Sequence, residues 1–242
     1  MTFSYDATWQ DISGMLRRQA DILLIVAGVF LFLPALAQAF YFPLPVVKGI
    51  NEAAIRTFLA YYEDNFFAVF STRLVALLGT GTLISLLVSP SAPTVGGAIS
   101  AAARLLPSLF LVDIISQFLI FGGLAILIAP GLYLLGRLAV ATPAMMAENI
   151  GNPLRALGRS LALTHGKGWQ IFGLISIFMI ALWIATSASV TVLGVVTSLI
   201  LPKDSSQIAQ MVLAAMSTTI LLFGSTLLTA GIYRQLRSNT GI

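Results

Sequence analysis

Between Leu105 and Met146 the chain carries about 42 almost uninterruptedly apolar residues, and no other feature restricts its folding as strongly. As a single helix this run would extend roughly 63 Å, about twice the ~30 Å hydrocarbon core of a bilayer. It must therefore form two spans. Pro130-Gly131 is the strong breaker near its middle, so the sequence predicts a very tight hairpin there, with a kinked re-entrant segment as the alternative. A soluble fold is excluded by composition. The chain is 58% hydrophobic and 9% charged, against roughly 45–50% and about 25% in soluble domains. Its 13 basic and 9 acidic side chains could not coat a water-exposed surface of 242 residues.

The remaining spans follow from the same reasoning. Ile22 to Phe40 is long enough to cross once. Its end, Ala35-Leu36-Ala37-Gln38-Ala39, offers the small-x-small pattern of a signal-peptidase site. The preceding segment is amphipathic through Trp9, Ile12 and Leu16 and carries Asp6, Asp11, Asp21, Arg17 and Arg18, which signal peptides rarely do. Beyond Pro43 and Pro45, Asn51 can cap a helix with Ile55, Leu59 and Tyr62 on one face, expected to lie on the membrane. Phe40, Tyr41, Phe42, Tyr61, Tyr62, Phe66 and Phe67 match an interfacial aromatic belt. The fold expected is all-α: a polytopic membrane helix bundle in a single domain, with about six spans near 22–40, 66–88, 105–129, 131–147, 169–201 and 208–233. Short amphipathic interfacial helices are expected near 6–20, 51–64, 94–104, where Thr94 can cap after the Ser89–Pro93 break, and 152–165. The last opens on Asn152-Pro153, turns Leu154, Leu157 and Leu161 to one side and Arg155 and Arg159 to the other, and ends at Gly166 and Gly168 before Trp169 anchors the fifth span.

Positive charge in short loops sets orientation. With the N-terminus inside, one face holds Arg17, Arg18, Arg104, Arg155, Arg159, Lys167, Arg234 and Arg237, and the other only Lys48, Arg56 and Lys203. Both termini are expected in the cytoplasm; a five-span arrangement would spoil this asymmetry. An amphipathic helix precedes spans one, three and five. That pattern is either an internal threefold repeat or the habit of basic helices to lie on an anionic leaflet.

The stretch Ala129-Pro130-Gly131-Leu132-Tyr133-Leu134, Arg137-Leu138, Ala141-Thr142-Pro143-Ala144 and Glu148, followed by Ala156-Leu157, Arg159-Ser160-Leu161, Leu163-Thr164, Gly166 and Trp169, resembles the glycerophosphoryl diester phosphodiesterase membrane-domain family. It is similar also to that family's YciC-type relatives, six-helix inner-membrane proteins of bacteria. The resemblance covers about 40 residues in detail, and the six-span plan extends it across the chain. It implies a fold and a bacterial inner-membrane location. The phosphodiesterase of the family name belongs to a separate soluble barrel whose histidines and metal-binding carboxylates this chain lacks.

Three ionisable residues fall inside predicted spans: Arg73, Asp113 and Arg137. Each costs about 2.5–3.5 kcal/mol at the bilayer centre on insertion scales, so each should face the bundle interior or snorkel. The expected arrangement is an Asp113–Arg137 pair locking spans three and four; the alternatives are a proton- or substrate-coupling site and lipid-headgroup snorkelling by the arginines. Glu148 reads either as helix-end electrostatics with a local Arg partner or as the edge of a headgroup pocket in which Arg155, Arg159, Ser160, Thr164, His165 and Lys167 hold a phosphate. The chain has no cysteine, and His165 is its only histidine. Thiol chemistry and multi-histidine metal sites are therefore excluded. The spans show no paired carboxylates and no Ser with a base, and the chain has no phosphate-binding loop. No cofactor, metal, nucleic acid or enzymatic activity is expected. The partners expected are membrane lipids, chiefly anionic ones, with a membrane protein or a second copy as further candidates. Lipid or amphiphile handling, or envelope scaffolding, is the leading expectation, with a small-solute or ion-coupled transporter as the alternative.

Overall fold

The computed structural model describes residues 13–14, 19–45, 47, 49, 51–89 and 93–239. The amphipathic helix expected over 6–20 falls almost entirely outside the described residues, as do Arg17, Arg18 and Lys48. Six membrane-length helical segments carry the fold. We label the helices α1 (Gln19–Tyr41), α2 (Glu52–Asp64), α3 (Phe66–Val88), α4 (Val95–Ile126), α5 (Ile128–Leu138), α6 (Ala141–Glu148), α7 (Pro153–Leu163), α8 (Gly168–Ile200) and α9 (Lys203–Asn239). The all-α bundle is as expected. The caps are as expected too: Asn51 accepts from the Ala54 amide at 2.8 Å, Thr94 from Gly97 at 3.2 Å, and Asn152 from Leu154 and Arg155.

Three features differ from the sequence expectation, each for a local reason. The reversal between spans three and four lies at Leu127, a single extended residue, and not at Pro130-Gly131. Pro130 is the third residue of α5, where the first-turn amides have no intrahelical partner and proline loses nothing. Gly131 instead permits the close crossing, since a Cβ there would run into Leu124. The helix expected over 94–104 is continuous with span three. Ala98, Ala102, Leu105, Leu109 and Val112 form one buried stripe at alternating steps of four and three, which crosses the expected boundary unbroken and runs past Pro107. The threefold unit of amphipathic helix plus hairpin is thus not repeated in the geometry of α4. Span four is in turn broken at 139–140 into α5 and α6. Pro143 cannot donate to the Ala139 carbonyl, so the helical ladder stops there. A single π-helical turn, Gly28–Phe32, sits just before Pro34 in α1 for the same reason.

Antiparallel packing places Val88, Arg104, Glu148, α7, Gly168 and the end of α9 on one face, here called the basic face. Gln38, α2, Leu127 and the α8–α9 turn lie on the opposite face. Burial is concentrated toward the basic face. Buried residues of α4 stop at Val112, those of α8 are Gly168, Ile171 and Thr186, and α9 is most densely buried from Thr226 to Leu236. Toward the opposite face the helices part and leave Phe118, Leu199 and Ile200 more than 70% exposed, surfaces suited to acyl chains.

Candidate functional site

The broken span four creates a polar knot near the basic face. Ending α5 frees the Arg137 carbonyl, to which the Ser160 hydroxyl of α7 donates at 2.7 Å; the Thr164 hydroxyl at the α7 C-terminal cap is shared between this carbonyl at 3.0 Å and the Ser160 carbonyl at 2.7 Å. The Arg137 side chain in turn donates to the Leu161 carbonyl at 2.7 Å, one of the orphan acceptors at the C-terminus of α7, and to the Tyr133 hydroxyl at 3.2 Å. Two glycines let α8 close on this knot. A Cβ on Gly136 would strike the Gly168 carbonyl, and one on Gly168 would strike the Tyr133 ring. Gly166 takes the left-handed conformation at φ 72° that turns the chain from α7 into α8. Trp169 packs against Tyr133 and Phe172. A second knot joins three helices: the Arg159 Nε lies 2.9 Å from both Glu148 oxygens, and the buried Tyr233 hydroxyl donates to Glu148 at 3.1 Å.

These knots redistribute the residues expected to form a headgroup pocket. Ser160 and Thr164 are fully buried and bonded inside the protein, and Arg159 is held by Glu148. Arg155 and His165 remain exposed and Lys167 half-buried. The apolar side of α7 also turns inward, with Ala156, Leu157 and Leu163 in the core and Leu154 exposed. Pro143 lies buried in the first turn of α6, and Pro130 is exposed beside the hairpin. Of the residues that carry the family resemblance, Tyr133, Arg137, Ser160, Thr164 and Trp169 meet where α5, α7 and α8 join, while Pro130 and Gly131 lie at the hairpin on the opposite face. Tyr233 escapes sequence analysis because its partner is 85 positions away.

The intramembrane carboxylate pairs differently from the expectation. Asp113 binds Arg73, not Arg137, through Nη2–Oδ1 at 2.5 Å and Nε–Oδ2 at 3.2 Å, a two-pronged contact between α3 and α4. Phe70 and Phe110 meet edge to face one turn away, at 5.3 Å. Arg137 is unavailable to Asp113 because its guanidinium is held at the α7 terminus by the Leu161 carbonyl and the Tyr133 hydroxyl, while Asp113 turns toward α3. The ion pair is half-open, with side-chain exposures of 40% for Arg73 and 24% for Asp113.

A cleft of about 620 Å³ opens between the opposite-face ends of α1 and α9, lined by Ala35, Gln38, Ala39, Gln210, Ala214 and Thr218 among others. Alanines at the facing positions leave the room. Ala35, Gln38 and Thr218 also line an inner chamber of about 250 Å³ that reaches Arg73 and Thr72. A third hollow of about 200 Å³ under Tyr62 and Phe66 reaches Arg73 from the side of α2. Tyr61 ties α2 to this edge, donating to the Phe42 carbonyl at 2.7 Å and accepting from Gln38 at 3.5 Å. Ile55, Leu59 and Tyr62 of α2 are exposed. No family model, no curated protein and no solved structure matches the chain.

Proposed function

We propose that this multi-pass membrane protein is a non-enzymatic handler of amphiphiles, which enter sideways from the bilayer into the cleft between α1 and α9. The carrying observation is that cleft: its volume lies within the ~300–1,000 Å³ of small-molecule sites, and its lining is apolar with a few amides and hydroxyls. An opening between two spans faces acyl chains, and the chamber behind it ends on a polar group at depth. The proposal places the protein in a bacterial inner membrane with the basic face, and so both termini, in the cytoplasm, since Arg104, Arg155, Arg159, Lys167, Arg234 and Arg237 share that face. Arg155, His165 and Lys167 on and beside α7 would then meet the anionic leaflet. Kinship with the membrane-domain family is part of the same proposal, supported by the meeting of five of its resembling residues, Tyr133, Arg137, Ser160, Thr164 and Trp169, at one junction.

The test is to purify the protein in nanodiscs made from bacterial polar lipid and to identify co-retained amphiphiles by native mass spectrometry. The variant Ala39→Trp/Ala214→Trp, which fills the cleft, should lose at least one retained species that an equally stable variant substituted on the lipid-facing side of α8, Ala185→Trp, keeps. Identical retention by both would refute the proposal. A second reading, ion-coupled transport, is favoured by one observation, that Arg73 borders the inner chamber. It requires solute- or proton-driven flux in liposomes that Asp113→Asn abolishes.

A further inference from the structure

The polar groups of the cleft specify more than its apolar lining does, and the headgroup chemistry they select rests on the amphiphile reading of that cleft. Arg73 and Asp113 together carry no net charge. A guanidinium has five N–H donors; Asp113 takes two of them, and no other described residue accepts from Arg73. The Arg73 side chain lines the chamber, and at that depth in a bilayer an unmade donation is costly. The chamber therefore offers hydrogen-bond donors without a net cation.

Every other polar side chain among the described residues that line the cleft is uncharged. Gln38, Gln207 and Gln210 present amides, and the Thr218 hydroxyl already donates to the Ala214 carbonyl, which leaves its oxygen as an acceptor. At the mouth, one turn before Gln207, Lys203 and Asp204 again bring one charge of each sign. The wider opposite face is acidic among the described residues: Glu52, Glu63, Asp64 and Asp204 stand against Arg56 and Lys203, and Arg56 is already bound to Glu52 at 2.6 Å. An anionic headgroup approaching Arg73 would meet the Asp113 carboxylate across the same guanidinium, at low dielectric, where like charges repel strongly.

We propose that the cleft selects an amphiphile whose headgroup is uncharged and rich in hydrogen-bond acceptors, of the ester, amide or hydroxyl kind, and discriminates against anionic headgroups on the same chains. Arg73 supplies the donors, and Asp113 cancels the charge that would otherwise recruit phosphate.

The experiment loads nanodiscs with equal fractions of diacylglycerol, phosphatidylglycerol and phosphatidic acid of identical chains, and counts each lipid retained per protein by native mass spectrometry. The unmodified protein should retain diacylglycerol over phosphatidic acid by about tenfold. Asp113→Asn leaves a net cation in the chamber and should move the preference toward phosphatidic acid by about tenfold or more. Arg73→Gln/Asp113→Asn should bind all three lipids weakly and without a charge preference. A purely structural pair would change stability without inverting headgroup choice. Equal or greater retention of phosphatidic acid by the unmodified protein overturns the inference, and that comparison needs no variant to fold. A folded Asp113→Asn protein with unchanged preference overturns it as well. The cleft-filling Ala39→Trp/Ala214→Trp variant separates the two levels. If it keeps every lipid, the cleft reading itself fails. If it loses them all while the unmodified protein shows no headgroup preference, only the headgroup selectivity fails.

Discussion

Replacing both members of the Arg73–Asp113 pair should be far less harmful than replacing either one. Arg73 stands seven residues beyond Phe66, the first residue of α3. That is about 10 Å along the helix, or roughly 5 Å short of the middle of a ~30 Å hydrocarbon layer. An unpaired charge at the centre costs about 2.5–3.5 kcal/mol on insertion scales. In Asp113→Leu the orphaned Arg73 can extend its long stem toward the interface, and its side chain is already 40% exposed, so the expected loss is smaller, about 1–2 kcal/mol. In Arg73→Met the orphan is Asp113, a short side chain 24% exposed that cannot snorkel, and the expected loss is about 2–3 kcal/mol. The double variant Arg73→Met/Asp113→Leu leaves no charge and fills the space with apolar atoms, so its stability should fall within about 0.5 kcal/mol of the parent. Unfolding by sodium dodecyl sulfate in mixed micelles, followed by tryptophan fluorescence, measures all four proteins and closes the cycle. The coupling should be at least about 2 kcal/mol. If the two single losses simply add in the double variant, the pair makes no energetic contact and buried charge does not govern this site.

Gly136→Ala should destabilise the α5–α8 crossing by about 2 kcal/mol or more, because the methyl meets the Gly168 backbone and not a flexible side chain. Gly173→Ala, with open space around it, should be neutral or slightly stabilising in the same micelle titration. Ser160→Ala/Thr164→Val removes both donors to the Arg137 carbonyl and should cost about 1–3 kcal/mol; unchanged stability with altered lipid retention would instead return these hydroxyls to a ligand site. Arg155→Gln/Lys167→Gln, which spares the Arg159–Glu148 bond, should lower retention of phosphatidylglycerol by about tenfold or more, with a weaker dependence on salt, since each basic residue at an anionic surface contributes about 1 kcal/mol. Reporter fusions after Ile242 and within residues 202–205 should read cytoplasmic and periplasmic respectively, and a periplasmic signal at Ile242 would invert the orientation.

Composition and hydropathy alone determined that the chain is an all-α bundle with six membrane-length segments. In hydrocarbon a helix satisfies its own backbone, so length and apolarity suffice to mark a span. The caps at Asn51, Thr94 and Asn152 were legible for a similar reason, because a side chain that bonds an amide two or three residues ahead is encoded locally. Proline was legible as a breaker but not in its effect. Pro130 lies harmlessly in a first turn, Pro107 within a continuous helix, and only Pro143 accompanies a break in a span. The outcome depends on which neighbour takes over the released carbonyls, and for Arg137 those neighbours are Ser160 and Thr164, more than twenty residues away. The choice of Arg73 over Arg137 as the partner of Asp113 was likewise tertiary: the Leu161 carbonyl, 24 residues from Arg137 in sequence, takes its guanidinium, and the packing of α4 on α3 turns Asp113 toward Arg73. The cleft had no sequence signature at all. Its alanines and glutamines lie on α1 and α9, at opposite ends of the chain, and they face one another because the bundle packs tightly at its basic face and parts at the other.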